Sequence, residues 1–145
     1  MKLKIKKLHP DAVLPTYATT GSAAFDIASL EQVTILPGET IKVRTGLSFE
    51  VPEGYELEIR PRSGLSLNSK IRLSNSPGTI DSDYRGEVHF ILDNIMTKFP
   101  NPYIISKGQR LGQCIVRKVD QVEFEEVTDL TETERGEKGF GSSGV

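Results

Sequence analysis

Val33-Thr34-Ile35-Leu36-Pro37-Gly38, followed by Ile41-Lys42-Val43, Gly46, Phe49-Glu50-Val51, Pro52-Glu53-Gly54 and Glu56-Leu57-Glu58-Ile59-Arg60, decides the fold class. Short β-type runs are cut by Pro and Gly, and Glu56 to Arg60 alternates charged with apolar residues at the period of a half-buried strand. Toward the N-terminus, Lys2, Lys4 and Lys6 alternate with Leu3 and Ile5 in the same way. Toward the C-terminus, Val88-His89-Phe90-Ile91-Leu92 and Leu111 to Val116 add two more runs. Almost nothing sustains a 3.6-residue period, and a short helix around Asn68 is the one helical expectation. Strands at this spacing predict an all-β sandwich, barrel or jelly roll.

The 145 residues suit one domain that buries roughly 68–70% of its unfolded surface. There is no internal repeat. Beyond Thr128 the composition turns to Thr, Glu, Gly and Ser, which cannot bury enough apolar surface to order itself. The expected division is a β body over 1–128 and a mobile arm over 129–145.

Net charge of −2 argues against general binding to a nucleic-acid backbone, so any phosphate site must be local. Cys114, the single cysteine, allows no disulfide within the chain and reads as a small buried hydrophobe in a reducing compartment. No apolar run approaches 18 residues and no signal-peptide core follows the N-terminal lysines. The expectation is a soluble protein, cytoplasmic or otherwise intracellular, without a membrane partner.

A phosphate-binding loop of the Walker type is absent, as is any His/Cys cluster at metal-ligand spacing; His9 and His89 are the only histidines. His89 sits in an alternating run and reads as structural or solvent-facing. Catalysis, if present, rests on a carboxylate. Asp81 is the candidate, within Pro77-Gly78-Thr79-Ile80-Asp81-Ser82-Asp83-Tyr84-Arg85-Gly86. Asp-Ser-Asp favours turns through side-chain bonds to its own backbone, which would break a strand period and let Asp81 and Tyr84 face one pocket. From the residues alone, two acids in a turn can be structural or catalytic. Arg60-Pro61-Arg62-Ser63-Gly64-Leu65 offers two guanidinium groups, a hydroxyl and a Gly that permits close backbone approach, which are the parts of a phosphate-binding loop and equally of a plain turn.

Five segments occur in order: Gly21 to Ile27, Pro61 to Leu65, Asn75 to Gly86, Gly108 to Gln113, and Arg135 to Gly144. Together they closely resemble the five motifs of trimeric deoxyuridine triphosphatases, the dUTPases, across nearly the whole chain. The resemblance implies a distorted β jelly roll that forms a homotrimer, with three sites shared between subunits. It also implies hydrolysis of dUTP to dUMP and pyrophosphate with Mg²⁺ held chiefly by the triphosphate, limiting uracil incorporation into DNA and supplying dUMP for dTMP synthesis.

Carried over by position, the resemblance makes Asp81 the general base for water attack on the α-phosphorus. Tyr84 would pack under the deoxyribose. Asn75, with backbone of Gly78, Thr79 and Ile80, would read the uracil edge. Arg62, Ser63, Gly64 and Gln113 would serve the phosphates or the attacking water, and Asp26 would reach the metal's water shell or brace Arg62. From the arm, Arg135 would meet the γ-phosphate, Phe140 would stack on uracil, Ser142 and Ser143 would add phosphate contacts, and Gly141 would join them in binding substrate.

Three positions depart from the family pattern: Lys138 replaces a common second Gly, Gln109 a frequent acid that would pair Arg110, and Gly112 a frequent Ala. Two other classes remain open. A dCTP deaminase on a related fold would not need an Arg135/Phe140 arm, and a non-catalytic trimeric scaffold would not need Asp81.

Overall fold

The computed structural model describes residues 1–96 and 101–139. In these, the elements run β1 (Lys4–Lys7), β2 (Phe25–Ala28), β3 (Val33–Ile35), β4 (Thr40–Arg44), β5 (Leu47–Glu50), β6 (Tyr55–Pro61), α1 (Ser63–Asn68), β7 (Ile71–Leu73), β8 (Gly78–Ile80), β9 (His89–Asn94), β10 (Tyr103–Ile105) and β11 (Arg110–Lys118). The all-β expectation holds, and the helix expected near Asn68 is α1, which starts inside the Arg60 to Leu65 motif. The strands that sequence periodicity did not reveal are β2, β7, β8 and β10, each only three or four residues long.

Every pairing is antiparallel. A four-stranded sheet has the order β2-β11-β6-β8 and a three-stranded sheet the order β4-β9-β7, with β1-β5 and β3-β10 as two-stranded ribbons. Leu57, Ile59, Phe25, Ile27 and Cys114 from the first sheet and Val43, Phe90, Leu92 and Ile71 from the second belong to one buried cluster. That sheet-on-sheet core is the jelly-roll arrangement. Burial pushes the Cys114 thiol up to about 12, which removes it as a nucleophile at neutral pH.

Two local features aim the polar side chains. Gly54, at φ +76°, closes the Pro52–Tyr55 turn and launches β6. In β11 the register against β2 shifts between Arg110 and Gly112, leaving Leu111 as the extra residue of a bulge. The shift moves the alternation by one, so Arg110 and Gln113 both reach the neighbourhood of Asp26 while Leu111 and Cys114 stay buried. After Lys118 the last backbone tie to the body among the described residues is Val119 N–H to the Gly54 carbonyl, 2.9 Å. Residues 120–138 are exposed and carry no helix or strand. Among the described residues no helix is long and apolar enough to cross a membrane.

Candidate active site

The sequence candidates fall into two clusters, and β6 touches both. At its C-terminal end, β6 pairs Arg60 with Gln113 of β11, and β11 pairs Gln113 with Asp26 of β2. Beyond Pro61, Arg62 occupies the extended position before α1, and Ser63 and Gly64 open the helix. Asp26, Arg60, Arg62, Ser63, Gly64 and Gln113 thereby line a cavity of about 380 Å³. Gln113 Nε2 donates to the Pro61 carbonyl at 2.9 Å, fixing the strand end. The Asp26 carboxylate divides its oxygens: Oδ1 lies 3.0 Å from Arg62 Nε and Oδ2 3.0 Å from the terminal nitrogen of Arg110. Asp26 thus braces Arg62, one of its two expected roles.

Arg110 was not among the expected site residues. Its expected partner, an acid at 109, is replaced by Gln109, whose side chain instead accepts from Ser106 N–H at 3.0 Å and donates to the Tyr103 hydroxyl at 3.2 Å. Arg110 therefore keeps an ion pair, but with Asp26 across the sheet. Glu58 was missed as well. It is buried, and it pairs with both Arg60 and Arg117. A charge at the alternating position between Leu57 and Ile59 was the available signal. Around this end of the sheet stand three guanidinium groups (Arg60, Arg62, Arg110) and two carboxylates (Asp26, Glu58), with Glu58 shared further along β6 with Arg117, a slight positive balance suited to an anion.

The second cluster lies where β8 pairs with β6, Glu58 opposite Thr79 and Ile59 opposite Gly78. A Cβ at Gly78 would come within 3.1 Å of Asn75 Nδ2 and 3.3 Å of Ile59 Cβ, so a side chain there would need those neighbours to give by a few tenths of an ångström. Asn75 is exposed on the segment leading in, ahead of a cis Ser76–Pro77 bond. The strand ends at Ile80 and the chain turns, Tyr84 N–H donating to the Asp81 carbonyl at 3.2 Å. Asp81 is exposed and lines a cavity of about 560 Å³ with Glu56, Thr79, Asp83 and Gln121. Tyr84 does not line it. Its ring lies over Gly86 and its hydroxyl donates to the Glu87 carbonyl at 3.1 Å. The turn thus breaks the strand period as expected, yet in a single chain it groups Asp81 with Asp83 and sets Tyr84 apart. His89 is half-buried, its Nδ1 2.8 Å from the same Glu87 carbonyl, a structural position.

In the arm, Arg135 is exposed and its Nε donates to the Lys138 carbonyl at 3.0 Å across two consecutive turns. Phe140, Gly141, Ser142 and Ser143 lie outside the described residues.

A family model described as dUTPase matches residues 11–144. A deoxyuridine 5'-triphosphate nucleotidohydrolase of Nautilia profundicola is 49% identical over 144 residues, covering 99% of each chain. One from Hydrogenobaculum is 47% identical over 146 residues, covering 100% of this chain and 99% of its own. The structure is similar to that of Staphylococcus bacteriophage 80alpha dUTPase with dUPNHPP, at TM-score 0.90 and 29% identity over 99% of each chain. With a family model matched over 11–144 and relatives 47–49% identical over the whole chain, the chain belongs to the dUTPase family.

Proposed function

We propose that this protein hydrolyses dUTP to dUMP and pyrophosphate, with Asp81 as the base that orients and deprotonates the attacking water. The observation that carries the reading is the position of Asp81: exposed, at the mouth of a turn, lining a cavity in a chain matched to the dUTPase family over 11–144. A carboxylate there can accept a proton from water, and such a base contributes roughly 10²–10⁴-fold. The 380 Å³ cavity offers Arg62, Ser63, Gly64 and Gln113 to a polyphosphate. Phosphoryl transfer is governed by position and charge stabilisation, and anchored guanidinium groups supply both.

The separation of the two cavities supports a site completed by other copies of the chain in a homotrimer. Asp81, Asn75 and the backbone of Gly78, Thr79 and Ile80 would come from one subunit, the phosphate residues from a second, and Arg135, Phe140, Gly141, Ser142 and Ser143 from a third. Tyr84 would pack under the deoxyribose and exclude a 2′-hydroxyl. The arm, 129–145, would close over the bound nucleotide and exclude water.

Mg²⁺ fits the donor set in an indirect way. Both Asp26 oxygens are already paired with arginines, Oδ2 by a hydrogen bond from Arg110 and Oδ1 by the ion pair with Arg62, and each retains a lone pair for a metal-bound water. Asp26 would hold that water shell while the triphosphate holds the ion. When bound, Mg²⁺ would offset phosphate charge.

The test is incubation with dUTP, dCTP, dTTP and UTP plus Mg²⁺, with products separated. The reading expects dUMP and pyrophosphate from dUTP alone. Deamination of dCTP, or no turnover of any nucleotide, would contradict it.

A further inference from the structure

We infer that Arg60 is an additional polyphosphate-directed cation of this site and that Glu58 positions it, an inference that rests on the dUTP reading above. On β6 Glu58 and Arg60 alternate with the core residues Leu57 and Ile59 and so stand on one side, and Arg62, just beyond the strand end, lines the same cavity as Arg60. The Glu58 side chain is only 7% exposed. A buried carboxylate is tolerated when paired and hydrogen-bonded, and each Glu58 oxygen has its own partner. Oε1 accepts from Arg60 Nε, and Oε2 accepts from a terminal nitrogen of Arg117 at 2.8 Å.

Arg60 is thus anchored by Nε, which leaves its two terminal nitrogens as donors on a side chain 42% exposed that lines the 380 Å³ cavity. Arg62 repeats the arrangement, with Nε on Asp26 at 3.0 Å. Two guanidinium forks, each held by a carboxylate through the same atom, therefore border one cavity two residues apart. Glu58 does not cancel Arg60, because it is shared with Arg117 and the three groups keep a net positive charge. What it removes is the rotamer freedom that an arginine otherwise loses on binding an anion.

The experiment uses the full chain with Mg²⁺ and compares wild type, R60Q, R60K, E58Q and E58Q/R60Q for KM and kcat on dUTP and for inhibition by dUMP. R60Q should raise the dUTP KM about tenfold, the scale of a lost charge-assisted hydrogen bond. Its kcat should stay within roughly threefold, as for lost uniform binding. Inhibition by dUMP, which lacks the outer phosphates, should move less than about twofold, and R60K should fall between because it keeps charge without the fork. E58Q should raise KM in the wild-type background and add little in R60Q, the non-additivity of a residue acting through another.

A wild-type KM in R60Q, alongside a wild-type protein that turns over dUTP, overturns the inference and leaves the dUTP reading standing. No wild-type turnover overturns both. Equal effects of E58Q in the two backgrounds reduce Glu58 to a structural residue and overturn its positioning role. Should E58Q not fold, E58D replaces it in the same cycle, since a shortened carboxylate must also loosen Arg60.

Discussion

Gly112 and Phe90 occupy one space between the two sheets. A Cβ at 112 would overlap Cε1 of the Phe90 ring and approach the Arg60 carbonyl oxygen to 2.8 Å, and Phe90 itself is fully buried. Glycine at 112 is therefore matched by a large aromatic across the core. Gly112→Ala should destabilise the protein by about 1–3 kcal/mol, the usual cost of overpacking. Phe90→Leu combined with it should cost less than the two changes summed, because each relieves the other. Thermal unfolding of the three variants checks this, and simple additivity would separate the two residues.

Tyr84 and Gly86 form a similar pair in the turn. A Cβ at Gly86 would overlap the Tyr84 hydroxyl and Cζ, displacing the ring from the Glu87 carbonyl. If Tyr84 excludes a 2′-hydroxyl, Tyr84→Ala and Gly86→Ala should both narrow the preference for dUTP over UTP, by roughly tenfold or more. Ratios of kcat/KM for the two nucleotides decide it. Equal ratios for wild type and both variants would remove Tyr84 from sugar selection.

How far the sequence alone could be read follows the range of each interaction. The alternation of Glu56 to Arg60 is local, and β6 is legible from it. Asp26 is different: its bond to Arg110 spans 84 positions and depends on the β11 bulge at Leu111, which no periodicity reveals. The Glu58–Arg117 bond spans 59 positions and needs the β6–β11 register. Asp81 and Arg62 could be named because motif order marks them. The brace that Asp26 gives Arg62 could be named with them, whereas the Asp26–Arg110 and Glu58–Arg117 pairs could not, since those partners are adjacent only after the strands pair.

Among the carboxylates that link stability to pH are Glu58 and Glu87. Hydrogen bonds from Arg60 and then Arg117 hold Glu58 below its ordinary value of 4.5. Burial pushes Glu87 up, but bonds from Arg44 and the Gly46 N–H outweigh it and leave Glu87 lowered too. A depressed folded-state value means the stabilisation is complete above the ordinary carboxylate range and is lost as pH falls through the folded value. Melting temperature should therefore be flat near neutrality and drop as pH falls below about 4.5. Glu58→Gln should lessen the slope of that drop, and an unchanged slope would mean Glu58 contributes none of it.

The arm supplies a test of site sharing. Truncation after Glu134 should leave the β body folded, because residues 120–138 pair with no strand of it, while strongly lowering kcat. Mixing truncated chains with Asp81→Asn chains should restore activity after subunit exchange, since some mixed trimers would unite an intact Asp81 with another chain's arm. Mass spectrometry that finds mixed trimers without activity would mean the arm serves its own subunit or none.

The most direct test of the central claim is Asp81→Asn assayed for dUTP turnover and for binding of a non-hydrolysable dUTP analogue. Asparagine keeps the shape but cannot accept the proton, so kcat should fall by roughly 10²–10⁴-fold while analogue affinity holds. A variant that retains more than about a tenth of wild-type kcat, well above what loss of a general base permits, would contradict the assignment of Asp81 and with it the proposed mechanism.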